Sequence, residues 1–136
     1  MKLKKIDHIG ILVKDLEKAI KFYRDKLGLH VESIESSAEF EVRVAFLPIG
    51  EVMIELVAPF KGSPIDMLID EKGEGLHHIA VEVDDIRKSL KELSVLEVPL
   101  VDTEPRMGGE GALVAFLDAA AANNVAIELK EKAKKG

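Results

Sequence analysis

The sequence predicts an α+β fold built from one βαβββ module used twice, and three observations carry that expectation. Asp7-His8-Ile9-Gly10 and His77-His78-Ile79-Ala80 each open an apolar, strand-like run, with His8 and His78 70 residues apart. Val44-Ala45-Phe46-Leu47 recurs letter for letter as Val114-Ala115-Phe116-Leu117, at the same offset. An Ile-Glu-Leu triplet closes each half, centred on Glu55 and on Glu128, at an offset of 73. Self-similarity at a nearly constant offset marks an internal repeat.

Each element has its own local cause. The first strand ends near Val13, and Asp15 suits the N-cap of a helix because its carboxylate accepts from free backbone N–H groups. Leu16, Ile20, Tyr23 and Leu27 follow at helical spacing, and Gly28 ends the pattern. Strand-like runs come next at 31–33, 41–47 and 52–57. The stretch that follows holds Pro59, Gly62, Pro64, Gly73 and Gly75; Ser63 caps a short helix there, with Pro64 at its first position and Ile65, Leu68 and Ile69 within it. After the second histidine strand, Asp84 or Asp85 caps a helix whose apolar stripe is Ile86, Leu90 and Leu93. Further runs lie at 100–103, 112–117 and 125–130. The expected organisation is one domain over 1–136, with module one at about 4–58, a linker with a short helix at 59–75, and module two at about 76–131.

Composition narrows the function classes. The chain has 136 residues, of which 47% are apolar and 32% charged, the profile of a packed globular protein. Net charge is −6 with acids and bases interleaved, so nucleic acid and anionic membranes are poor partners. Cysteine is absent, which excludes disulfides and thiolate metal sites; any transition metal must be held by imidazole and carboxylate. The N-terminal run is basic and then apolar, but Asp7 and His8 interrupt it, so it reads as a strand rather than a signal peptide. No stretch reaches the roughly 18 apolar residues of a membrane span. A cytoplasmic location is expected.

Four residues carry the chemistry. His8 and His78 sit on the first strand of each module, and Glu55 and Glu128 on the last. Carboxylates among apolar strand neighbours need a compensating cation, and a divalent metal held by two imidazoles and two carboxylates supplies one. Any one of them, alone, has a blander explanation: a glutamate between Ile and Leu points outward from a half-wet sheet, or a strand histidine serves structure. Their recurrence at repeat-related positions favours a shared site. His77 competes with His78, but alignment with Asp7-His8 sends His77 to the opposite face. His30 follows the first helix without a counterpart and is expected in solvent. Gly108-Gly109-Glu110-Gly111 reads either as a phosphate-binding turn or as a flexible rim. The basic tail from Lys130 to Lys135 reads as a frayed end.

The duplicated βαβββ unit with His and Glu ligands resembles the vicinal-oxygen-chelate (glyoxalase-like) superfamily, and within it the methylmalonyl-CoA epimerase family. The phrases that carry the likeness are Asp7-His8-Ile9-Gly10-Ile11, Glu55-Leu56 followed by Pro59, Ser63-Pro64-Ile65, Gly73-Glu74-Gly75-Leu76-His77-His78-Ile79-Ala80, and Glu104-Pro105-Arg106-Met107-Gly108. The resemblance implies a curved mixed sheet around a metal site, with His8, Glu55, His78 and Glu128 as ligands of a divalent ion (Co, Mn, Zn or Ni). It implies methylmalonyl-CoA as substrate, epimerised at C2 by proton abstraction and enolate stabilisation, with Glu128 as ligand and candidate base. A homodimer is implied as well.

Two features depart from the family pattern. Arg43 stands where several members have a second carboxylate base, with Glu41 two residues away as a substitute; an arginine there could instead hold the substrate carboxylate. The turn before the last strand reads Asp118-Ala119-Ala120-Ala121-Ala122-Asn123-Asn124 instead of a His-Pro-Lys-type turn with paired glycines, and the asparagines are expected to adopt the left-handed conformations of the glycines. The alternatives are a glyoxalase I-like lactoylglutathione lyase, towards which Asp118 leans, and a non-enzymatic small-molecule-binding protein of the same fold. An extradiol dioxygenase would need additional acid–base histidines.

Overall fold

A computed structural model describes residues 1–134 of the chain. In order, the elements are β1 (Lys5–Leu12), α1 (Leu16–Lys21) continuing into a π-helical turn (Phe22–Lys26), β2 (Ser33–Ser37), β3 (Val42–Ile49), β4 (Val52–Pro59), α2 (Pro64–Lys72), β5 (Gly75–Glu82), α3 (Ile86–Val95), β6 (Arg106–Met107), β7 (Leu113–Phe116) and β8 (Ala126–Glu131). The βαβββ order therefore occurs twice, with α2 between the two copies. Residue contacts divide the chain into a unit of His8–His77 and a unit that joins Met1–Asp7 to the residues from His78 onward.

In the His8–His77 unit, β3 pairs antiparallel with β2 and β4, and β4 runs parallel to β1. Side chains alternate across this sheet, as a strand's period of two requires. One face carries Val13, Ala45, Leu47, Leu56 and Ala58, with Ile11 and Ile54 beside them, and is covered by Leu16 and Ile20 of α1. Asp15 caps α1 by accepting from the Lys18 N–H. The other face carries Leu12, Val42, Val44 and Val57, packed against Ile69 of α2 with Ile65 and Leu68 alongside. α2 begins where Ser63 accepts from the Asp66 N–H and Pro64 takes the first turn.

In the second unit, β8 runs parallel to β5 and antiparallel to β7, and β7 pairs antiparallel with β6. Val81, Val83, Ala115 and Leu129 form one face, closed by Ile86, Leu90 and Leu93 of α3. Of the two candidate caps, Asp85 holds α3, accepting from the Lys88 N–H. The Lys4 N–H donates to the Glu82 carbonyl, which ties the N-terminal residues to the end of β5. Among the described residues, no helix is long and apolar enough to cross a membrane.

Several boundaries differ from the sequence expectation. The helical stripe ending on Leu27 holds only as far as Tyr23; the π-helical turn adds residues to the last turn and rotates Leu27 outward, 55% exposed, while Leu29 packs on the core instead. β2 starts at Ser33, where 31–33 was expected. The run at 100–103 contributes a single bridge from Leu100 to Leu117, and β6 forms later, at Arg106–Met107. β8 runs to Glu131, one residue past the expected 125–130, and Lys130 within it is paired rather than frayed, its Nζ 2.9 Å from Asp7 Oδ2, while Lys135 falls outside the described residues.

Candidate metal centre

Parallel pairing sets the geometry of each histidine–glutamate pair. In the His8–His77 unit, His8 is opposite Met53 and Gly10 opposite Glu55, so the imidazole and carboxylate sit on one face of adjacent strands, two residues out of step. The His8 Nε2–Glu55 Oε1 distance is 3.6 Å. The second unit repeats the arrangement: His78 is opposite Ala126, Ala80 is opposite Glu128, and His78 Nε2 lies 3.4 Å from Glu128 Oε1. On the β1 or β5 side, the residue directly beside each glutamate is small, Gly10 or Ala80.

A third residue completes each row. Phe46 of β3 is opposite Glu55, and Phe116 of β7 is opposite Glu128. Each phenyl ring meets its histidine nearly perpendicular: His8–Phe46 at 6.2 Å and 82°, His78–Phe116 at 5.6 Å and 81°. Both rings come from the repeated Val-Ala-Phe-Leu phrase, and they are the site neighbours that sequence reasoning missed. The repeat was visible, but an aromatic in an apolar run is ordinarily core.

The donor chemistry of each half fits a divalent ion. His8, His78 and Glu128 are buried, and the Glu55 side chain is only 13% exposed. A carboxylate so placed needs a cationic partner. The N···O distances are longer than ordinary hydrogen bonds. Two ligands each about 2.1 Å from one ion lie about 3.0–3.4 Å apart, so the spacing within each pair is close to what a shared ion asks. Imidazole nitrogen and carboxylate oxygen suit the borderline divalent metals.

The remaining candidates fall elsewhere. Arg43 is opposite Ala58 on the α1-covered face of its sheet, and its Nη1 is 2.9 Å from Glu17 Oε1, so it lies on the face opposite to His8 and Glu55. Its guanidinium holds the Glu17 carboxyl below the usual range. Glu41 is exposed in the turn before β3, with a left-handed φ of 54°. His30 is exposed, and the alternation of β5 turns His77 away from the face of His78. Gly109–Gly111 forms a 3-10 turn with Glu110 left-handed, and the Ala119–Ala122 run forms another, capped by Asp118. Asn123 and Asn124 have φ of 59° and 67°, the left-handed conformations expected of them.

Residues 7–116 match the family described as the Glyoxalase/Bleomycin resistance protein/Dioxygenase superfamily. The chain belongs to that superfamily. Within it, an uncharacterized Bacillus subtilis protein is 38% identical over 130 residues, 95% of this chain and 93% of that protein. The ethylmalonyl-CoA/methylmalonyl-CoA epimerase of Cereibacter sphaeroides is 35% identical over 132 residues, 93% of this chain and 97% of that enzyme. A solved methylmalonyl-CoA epimerase in complex with methylmalonyl-CoA and NH4+ superposes with a TM-score of 0.91 at 32% identity, covering 97% of this chain and 96% of that one. The fold is therefore the glyoxalase/vicinal-oxygen-chelate fold, and the likeness to methylmalonyl-CoA epimerases spans nearly the whole chain.

Proposed function

We propose that this protein interconverts the C2 epimers of methylmalonyl-CoA at a divalent-metal centre whose ligands are His8, Glu55, His78 and Glu128. The observation that carries the reading is the repeated histidine–glutamate pair in a chain similar to epimerases along almost its full length. The C2 proton lies between a thioester carbonyl and a carboxylate, so its acidity is high for carbon yet too low for free ionisation at neutral pH. The metal, when bound, supplies Lewis-acid stabilisation of the negative charge that develops on substrate oxygens.

The residues of the chain supply the rest. A carboxylate takes the C2 proton as the C–H electron pair moves into the thioester carbonyl; a water molecule gives a proton to the other face, inverting the centre, and the protonated carboxyl returns its proton to the hydroxide left behind. Glu128 is the candidate for that carboxylate, being buried and directly beside the small Ala80. Arg43 and Glu41 are not assigned a part in the step. Glu17 engages the first, and the second sits exposed in a turn.

A single C2 epimer given to the purified protein with Co, Mn, Zn or Ni is expected to become a mixture of both, read by chiral chromatography. An epimer that stays unchanged with all four ions, in folded protein, contradicts the proposal. Turnover of the methylglyoxal–glutathione hemithioacetal by the same sample would favour the lactoylglutathione lyase alternative.

A further inference from the structure

We propose that Phe46 and Phe116 are positioning residues that fix the imidazoles of His8 and His78 so that each Nε2 points at the carboxylate of its own pair. This rests on the metal reading above. A metal ligand is useful only when its lone pair points at the ion, and the ring torsion of a histidine is otherwise broad. In protein metal sites, groups outside the ligand set commonly hold the ring. Here a phenyl ring stands nearly perpendicular to each imidazole, at 6.2 Å in one unit and 5.6 Å in the other. Perpendicular contact is a favoured arrangement for aromatic pairs, so rotation of the histidine ring works against it.

The placement of the two rings does more than fill a core. Phe46 and Phe116 each lie opposite the glutamate, and each makes its contact with the histidine one strand further on. One ring thus borders both members of the pair. The backbone supports the arrangement: the Phe116 N–H donates to Asp102 Oδ2 at 2.9 Å. The same residue type, at the same register position, in both copies of the module argues for a role in the site, because the surroundings of the two rings differ. Phe46 packs beside Val42, Val44, Val57 and Ile69, whereas the corresponding face of the second unit has Glu82 and Lys130.

Phe46→Leu and Phe116→Leu keep an apolar side chain and remove the ring. Each is expected to weaken Co(II) binding about 10-fold or more, measured by chelator competition. Each is also expected to alter the visible absorption of the bound Co(II). Phe46→Tyr and Phe116→Tyr, which keep the ring, are expected to restore both. In the unsubstituted protein, the His8 and His78 ring protons are expected to show ring-current shifts, a readout that survives if a leucine variant fails to fold. Leucine variants that bind Co(II) as the unsubstituted protein does, with the same spectrum, overturn the inference and leave the metal reading standing. Unsubstituted protein that binds no Co(II) overturns both. Histidine protons without ring-current shifts also overturn the inference.

Discussion

His8 and His78 are each 5% exposed, with a carboxylate oxygen 3.6 Å and 3.4 Å from the respective Nε2. At such burial the removal of one partner is felt by the other, at about 1–3 kcal/mol for a buried polar group and more for a charged one. Glu128→Gln keeps the volume and removes the charge; His78→Ala removes the imidazole. Both are expected to lower the metal retained per chain after dialysis, measured by plasma emission, with the circular dichroism of the fold preserved. Metal content unchanged in both variants would remove these residues from the ligand set. The pairing was legible in the sequence because His8 and His78, and then Glu55 and Glu128, stand at matched places in a repeated text. The choice of His78 over His77 was legible because strand side chains alternate. The surroundings of Arg43 were not legible, because a sequence match gives a position and not a face. The β3–β4 register puts Arg43 opposite Ala58 on the helix-covered side, and Phe46 opposite Glu55 on the other.

The helices show what caps and turns contribute. Asp15 and Asp85 accept from the Lys18 and Lys88 N–H groups, satisfying donors that no residue within the helix can reach. Asp85→Ala is expected to lower unfolding stability by about 1 kcal/mol in urea titration, with Asp85→Asn retaining most of it. An alanine variant as stable as the parent would show that the cap is idle. The caps were readable as Asp followed by an apolar stripe. The π-helical turn at Phe22–Lys26 was not, because its residues have no composition that sets it apart from an α-helix. Its effect, Leu27 outside and Leu29 inside, needed the structure. Between α1 and β3, the Arg43 hydrogen bond depresses the folded-state pKa of Glu17. A depressed carboxylate stabilises the fold above its unfolded pKa and loses that contribution as pH falls through the folded value. Both groups are solvent-exposed, so the contribution to stability is small. The carboxyl itself is the better probe: Arg43→Ala is expected to raise its titration midpoint by NMR, and an unmoved midpoint would contradict the contact.

The two units share a plan and a histidine–glutamate pair but differ in what surrounds that pair. Each unit has its own helix-covered core, centred on Leu16, Leu47 and Leu56 in one and on Ile86, Leu90 and Leu129 in the other. Leu56→Ala and Leu129→Ala are each expected to cost about 2–5 kcal/mol in urea unfolding. A loss below about 1 kcal/mol at either would mean that the site collapses around the truncation. On the face that carries the histidine–glutamate pair, the His8–His77 unit continues into Leu12, Val44 and Val57 under α2. The other unit has Glu82 opposite Lys130 there, with Lys130 and Lys132 paired to Asp7 and Glu82. The duplication was legible from two tetrapeptides and two triplets. The asymmetry was not, because the repeat aligns Leu12 with Glu82 and Val57 with Lys130 without revealing what covers either. Solvent deuterium exchange bears most directly on the central proposal, proton transfer at C2 of methylmalonyl-CoA with a divalent metal at the His8, Glu55, His78 and Glu128 ligands. Metal-loaded protein in D2O is expected to place deuterium at C2, detected by mass spectrometry, and to lose that activity on chelation and regain it on reloading. Substrate that carries no deuterium after prolonged incubation with folded, metal-loaded protein would contradict it.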